Sequence, residues 1–222
     1  MRASLVSQAL GFRSTMVRAK ADPMIKRLVY RALSGISGFL FSRGKSLVVS
    51  RKVLDVHKQP FLRHDDFLAL NVPFEPVRKL RKRLEKSTGL KLLSRGEAHV
   101  TVITPPEFAI LKNHLRMQEI EEIALREKIQ EADLEILGLG EGRLDDDGGE
   151  RRTYYIIVKS KRLMRIRETV ENLFRARGGK KEDFVAADYY PHITVGFTHV
   201  DLHSEQGIVK DERSLRYELK VR

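Results

Sequence analysis

The sequence predicts a duplicated, bilobal α+β fold, and three observations predict it. A strand–helix–strand pattern occurs twice, over residues 67–103 and 154–197. In each copy glycine stops the helix, Gly89 in the first and Gly178-Gly179 in the second. In each copy the closing strand opens on His-x-Thr, as His99-Val100-Thr101 and His192-Ile193-Thr194. The likeness lies in order and landmarks rather than residue identity, so the repeat is one of structure.

In the first unit, Phe67 to Val72 is a short apolar run suited to a buried strand, and Pro73 ends it. Glu75 to Lys86 follows helical spacing, with Val77, Leu80 and Leu84 inward and Arg78, Lys79, Lys82, Arg83 and Lys86 outward. Gly89 stands where a helix end favours a left-handed residue. The second strand covers Ala98 to Ile103. Between the units, Thr104-Pro105-Pro106-Glu107 is a helix start with a capping box, followed by a helix or helix pair over 105–131. A strand at Leu134 to Leu139 leads through the acidic loop Asp145-Asp146-Asp147-Gly148-Gly149 to the second unit. There the strand Tyr154 to Lys159 precedes a helix over Arg162 to Arg177, with Leu163, Ile166, Val170, Leu173 and Phe174 on one face. The strand His192 to Phe197 follows, and the alternation of Leu215, Tyr217, Leu219 and Val221 predicts a last strand over Ser214 to Val221.

The residues ahead of this body are different. Positions 1–54 hold eleven Lys or Arg and one acid, Asp22, while 55–222 hold 31 basic and 29 acidic residues. The formal charge of +12 is therefore mostly a property of the N-terminus, and the body carries no broad basic field for gripping nucleic acid. Met1 to Ala21 is free of acids and carries Arg2, Arg13, Arg18 and Lys20 among small and apolar residues, the composition of a mitochondrial transit peptide. From Met24 to Phe41, Ile25, Leu28, Val29, Ala32, Ile36, Phe39 and Leu40 share one helical face, with Lys26, Arg27 and Arg31 opposite. That basic amphipathic helix suits import or contact with an anionic membrane surface; packing on the domain is the plain alternative. The expected division is a targeting or membrane-surface segment at 1–54 and a folded domain at 55–222, joined by a polar connector over 58–66. A 41% hydrophobic content supplies a core, and with no cysteine the chain has neither disulfides nor a thiol nucleophile.

Side chains alternate faces along a strand. His99 and Thr101 therefore share a face, as do His192 and Thr194, while Val100, Val102, Ile193 and Val195 anchor the other side. If the units face each other, two imidazoles and two hydroxyls converge. That set suits in-line displacement at phosphorus: one neutral imidazole takes a proton from the nucleophile, and the other, protonated, gives one to the leaving oxygen. Threonine hydroxyls can donate to the non-bridging oxygens. No metal and no other cofactor is needed. A lone His-x-Thr carries little weight, since both residues also occur in sheets for packing; two at matching places in a repeat carry much more.

This arrangement resembles the 2H phosphoesterase superfamily, over about residues 65–222. Tyr190-Pro191-His192-Ile193-Thr194-Val195 is similar to its Pro-His-x-Thr form, and Glu97 to Glu107 resembles the Swiss Army Knife 2H domains of RNA-repair proteins. The resemblance implies two pseudo-symmetric antiparallel sheets flanked by helices. It also implies His99 and His192 as the acid–base pair, with Thr101 and Thr194 orienting phosphate. Members act on 2′,3′-cyclic phosphates, ADP-ribose 1″,2″-cyclic phosphate, RNA 3′ ends or 2′-5′ linkages, so RNA ends or cyclic nucleotides are the expected substrates and a monomer the expected form. Tyr189 and Tyr190 could stack on a base and Arg95 could pair with phosphate. His199 and His203 read as surface residues, and His57, His64 and His114 have no motif context. A non-catalytic RNA- or nucleotide-binding module using the same cleft, and an adaptor whose motifs are accidental, are the rival readings.

Overall fold

The computed structural model describes residues 46–146 and 148–222. The amphipathic helix expected over 24–41 and nearly all of the expected leader lie outside them. Eight strands, β1 (Ser46–Val49), β2 (Leu62–Arg63), β3 (Leu68–Asn71), β4 (His99–Ile103), β5 (Glu135–Asp146), β6 (Gly149–Lys159), β7 (His192–Phe197) and β8 (Leu215–Val221), form one sheet in the order β1-β8-β5-β6-β7-β4-β3-β2. Four α-helices accompany it among the described residues: α1 (Phe74–Thr88), α2 (Pro105–Leu111), α3 (Met117–Arg126) and α4 (Lys161–Ala176).

One sheet stands where two were expected. The correction has a simple cause. Two separate sheets would leave β4 and β7 as open inner edges, with unpaired backbone donors and acceptors. Instead the two motif strands pair antiparallel, with Val100 opposite Ile193. About that junction the order β6-β7-β4-β3 keeps the sequence of strands a repeated unit requires, and every neighbouring pair in it is antiparallel.

The helices explain why the junction holds. On α1, Val77, Leu80 and Leu84 are buried, and on α4 so are Leu163, Ile166, Val170 and Phe174. Each such side chain contributes about 1.5–3 kcal/mol by leaving water. The helix of each unit packs against the motif strand of the other, α1 against β7 and α4 against β4. That crossed packing fastens the halves together beneath the strands. Helix α1 stops at Gly89, whose φ of 74° is left-handed and whose N–H reaches the Glu85 carbonyl at 2.8 Å.

The predicted capping box is present: Thr104 Oγ1 accepts from the Glu107 N–H, and the Glu107 carboxylate accepts from the Thr104 N–H at 2.9 Å. Thr104→Ala is therefore expected to cost about 0.5–2 kcal/mol in urea unfolding; an unchanged midpoint would show that the prolines alone hold this helix start.

Two boundaries move. Ser46–Leu54 was expected in the leader, yet β1 pairs parallel with β8 and both Val49 and Val53 are fully buried. The folded body thus reaches back at least to Ser46. The connector expected over 58–66 contains β2, where Leu62 pairs with Ala69 of β3. The acidic loop is also shorter than expected, because Asp145 and Asp146 continue β5 and Gly149 already opens β6.

Candidate active site

The alternation read from the motifs is realised at the β4–β7 junction. Val100, Val102 and Ile193 are fully buried and Val195 nearly so, on the face that the helices cover. His99, Thr101, His192 and Thr194 are all half-buried on the other face. Continuing the Val100–Ile193 register by one residue each way sets His99 opposite Thr194 and Thr101 opposite His192. The two imidazoles are then diagonal neighbours, with Cβ atoms roughly 7–8 Å apart or somewhat less. A cavity lined by Ser94, Arg95, Glu97, Ala98, His99 and Thr194 crosses the junction, so one residue from each motif opens into the same hollow.

The two histidines sit among different charges. Nδ1 of His99 is buried without a hydrogen-bond partner, and the nearest carboxylate oxygen, on Glu97, is 3.5 Å away. Burial pushes the His99 pKa down, against the pull of Glu97. Nδ1 of His192 donates to the Tyr190 carbonyl at 2.8 Å. That leaves Nε2 as the acceptor atom, and the Lys210 ammonium lies 3.2 Å from it. Burial first, and then the Lys210 charge, push the His192 pKa well below the ordinary histidine range. Both environments favour the neutral imidazole, whereas a phosphate anion beside the rings favours protonation.

Four residues that the sequence did not single out as functional complete the site. Asp201, 5% exposed, gathers it: its carboxylate accepts from Thr153 at 2.8 Å, Lys210 at 3.1 Å, Arg95 at 3.1 Å and the Thr194 hydroxyl at 3.2 Å. Burial alone would raise its pKa, but the Lys210 charge and the Thr153 hydrogen bond outweigh that and hold it down. Lys210 is itself 4% exposed and lies over the Tyr155 ring, 5.3 Å from its centroid. His203, read from sequence as a surface residue, has its ring 3.3 Å from Arg95 and 3.8 Å from Asp201. His64, which had no motif context, stacks on Phe67, whose ring centroid is 6.1 Å from that of His99. These residues come from loops, where no periodicity marks them. The one signal was Asp201 and Lys210 lying in otherwise apolar surroundings, Val200 to Leu202 and Ile208 to Lys210.

The remaining expected contacts divide. Arg95 stands at the rim, partly exposed and paired with Asp201. Tyr190 is 44% exposed and open to a ligand. Tyr189 is engaged otherwise: its hydroxyl donates to the Thr101 carbonyl at 3.0 Å and the Arg167 guanidinium covers its ring at 4.6 Å. Its position is that of a packing residue behind the first motif rather than a stacking platform, which corrects the expectation for it.

Paired imidazoles and hydroxyls on one face, with Arg95 at the rim and Lys210 buried beside His192, are a set suited to acid–base chemistry on an anionic ester. A family model described as Swiss Army Knife, 2H phosphoesterase domain, matches residues 66–203 and so contains both motifs. The chain belongs to that family, and membership points to phosphoester hydrolysis. No curated protein and no solved structure matches the chain.

Proposed function

We infer that the chain is a metal-independent phosphodiesterase that hydrolyses 2′,3′-cyclic phosphates or related phosphodiester bonds of RNA ends or nucleotides, with His99 and His192 as general acid and base. The observation that carries this reading is the register of β4 and β7, which sets both imidazoles and both threonines on one face of adjacent strands. An in-line displacement needs a proton acceptor on the attacking side and a donor on the leaving side. Two diagonal imidazoles across a strand pair bracket a phosphate in that sense. Thr101 and Thr194 flank the same place and can donate to non-bridging oxygens, Thr194 by releasing Asp201. Arg95 brings a cation to the rim, and Tyr190 offers a ring on which a base can stack.

The reading is tested with 2′,3′-cyclic nucleotides and cyclic-phosphate-ended RNA oligomers assayed in EDTA. Turnover is expected to persist undiminished in chelator, with ring opening to a monoester as the product. Activity that vanishes in EDTA and returns with a divalent ion would overturn the two-histidine mechanism. Tight RNA binding with no turnover of any substrate in the panel would favour a binding module.

A further inference from the structure

The repeat makes the two histidines equivalent by position, but their surroundings do not. Resting on the phosphodiesterase reading, we propose that Lys210 is a positioning residue that holds His192 as the neutral imidazole, making His192 the proton acceptor and His99 the proton donor. Lys210 follows β7 and precedes β8, beyond the residues that the family model matches. Its ammonium is nearly inaccessible and is held between the Asp201 carboxylate and His192 Nε2, at 3.1 and 3.2 Å.

An ammonium has donors only. With Nδ1 of His192 already donating to the Tyr190 carbonyl, a Lys210 N–H pointing at Nε2 requires a lone pair there. A proton on Nε2 would bring two cations into contact in a site where both are shielded from water, at an unfavourable Coulomb energy. His99 has the opposite neighbour. The Glu97 carboxylate lies beside its unpartnered Nδ1 and, with Asp201, favours the imidazolium, against burial, Arg95 and His64. The other charged or titratable groups facing His192 are Asp201 and His203, from the same segment as Lys210, and Tyr155 of β6, whose ring centroid is 5.6 Å away. Of these, only Asp201 opposes Lys210, and Asp201 also binds Arg95, Thr153 and Thr194.

When a phosphodiester enters, the ammonium exchanges its contact with a neutral nitrogen for a stronger, charge-assisted one with an anionic oxygen, and the Nε2 lone pair is released toward the nucleophile. The attacking water gives its proton to Nε2 while its oxygen bonds phosphorus. The ester P–O bond breaks, and the departing oxygen takes the proton carried by His99. Both rings then re-equilibrate with solvent.

The full-length chain with isotope-labelled histidines tests this by NMR titration, compared among wild type, Lys210→Gln and Lys210→Arg. In Lys210→Gln the His192 midpoint is expected to rise by about one pH unit or more, because a nearby like charge is removed; Lys210→Arg should hold it near the wild-type value. In kcat/KM against pH, the acidic limb of Lys210→Gln is then expected to move upward with the His192 midpoint, since a base works only unprotonated, and the alkaline limb should stay. Movement of the alkaline limb instead would make His192 the donor and overturn the assignment. So would an unmoved His192 midpoint. Should Lys210→Gln fail to fold, Lys210→Gln combined with Asp201→Asn removes both buried charges, and the same upward direction is required because Lys210 contacts the ring directly. A wild-type chain inactive on every phosphodiester would sink the functional reading, while the titration would still decide whether Lys210 keeps His192 neutral.

Discussion

Replacing His99 or His192 with alanine is expected to lower kcat/KM on a cyclic phosphodiester by roughly 10²–10⁴-fold, the usual worth of a positioned proton-transfer group. The fold should survive both changes. The His99 ring, with 12% of its side chain exposed, makes no hydrogen bond through Nδ1, so its removal breaks no network. Removing the His192 ring forfeits the hydrogen bond to the Tyr190 carbonyl, a loss of about 1 kcal/mol, and the Lys210 contact at Nε2, while the Lys210 ammonium keeps its Asp201 partner. Thermal melting of both variants should therefore stay close to wild type while turnover collapses. The double variant should be little worse than either single one, because an acid and a base that act in one transition state do not contribute additively. Wild-type rates in either single variant would place the chemistry elsewhere.

The largest effect on stability is expected at Arg167, far from any role that the motifs suggest. Its side chain is 1% exposed and makes a complete set of contacts. Nε donates to the Ala186 carbonyl at 3.0 Å, Nη1 to the Val102 carbonyl at 2.7 Å, and Nη1 and Nη2 to the Glu107 carboxylate at 3.1 and 2.8 Å. The rings of Phe184 and Tyr189 lie against the guanidinium at 4.9 and 4.6 Å. One side chain thus joins α4, the end of β4, the start of α2 and the loop that leads into the second motif. Arg167→Met keeps much of the volume but leaves buried carbonyls without a donor and Glu107 without its cation. Breaking a buried ion pair in this way costs about 3–5 kcal/mol, or on the order of 10 °C in melting temperature for a domain of this size. A shift below a couple of degrees would mean that water replaces the guanidinium freely. Activity should fall as well, since Tyr189, two residues from Pro191, loses the group that packs it against β4.

Much of the candidate site's geometry was legible in the sequence because strands write their faces into alternate residues. His99, Thr101, His192 and Thr194 needed only period two and the repeat to be found. The α1 and α4 stripes and the Thr104 cap were legible for the same reason, being local patterns with local causes. What the sequence did not disclose was set by contacts between distant segments. Nothing local tells that β4 and β7 join into one sheet, since that depends on helices packing across the junction. Nothing near Lys210 announces that it meets His192, eighteen positions earlier, because that contact is made by a loop folding back on the cleft. The same limit explains Tyr189: adjacent to a motif in sequence, it is drawn behind the sheet by an arginine twenty-two positions before it.

The parallel pairing of Ser46–Val49 with Glu218–Val221 has a consequence for how the chain is made. The earliest strand among the described residues finds its partner 172 positions further along the chain (46 to 218). Until those emerge, both that strand and the long β5 lack their neighbour, and two rows of backbone groups stay open to unwanted association. Closure of this end of the sheet is therefore a later, long-range event that follows formation of the two motif strands, whose own pairing is already possible once residue 197 is available. Loss of residues 215–222 would leave the histidine strands their direct neighbours but take away the strand that joins β1 to β5.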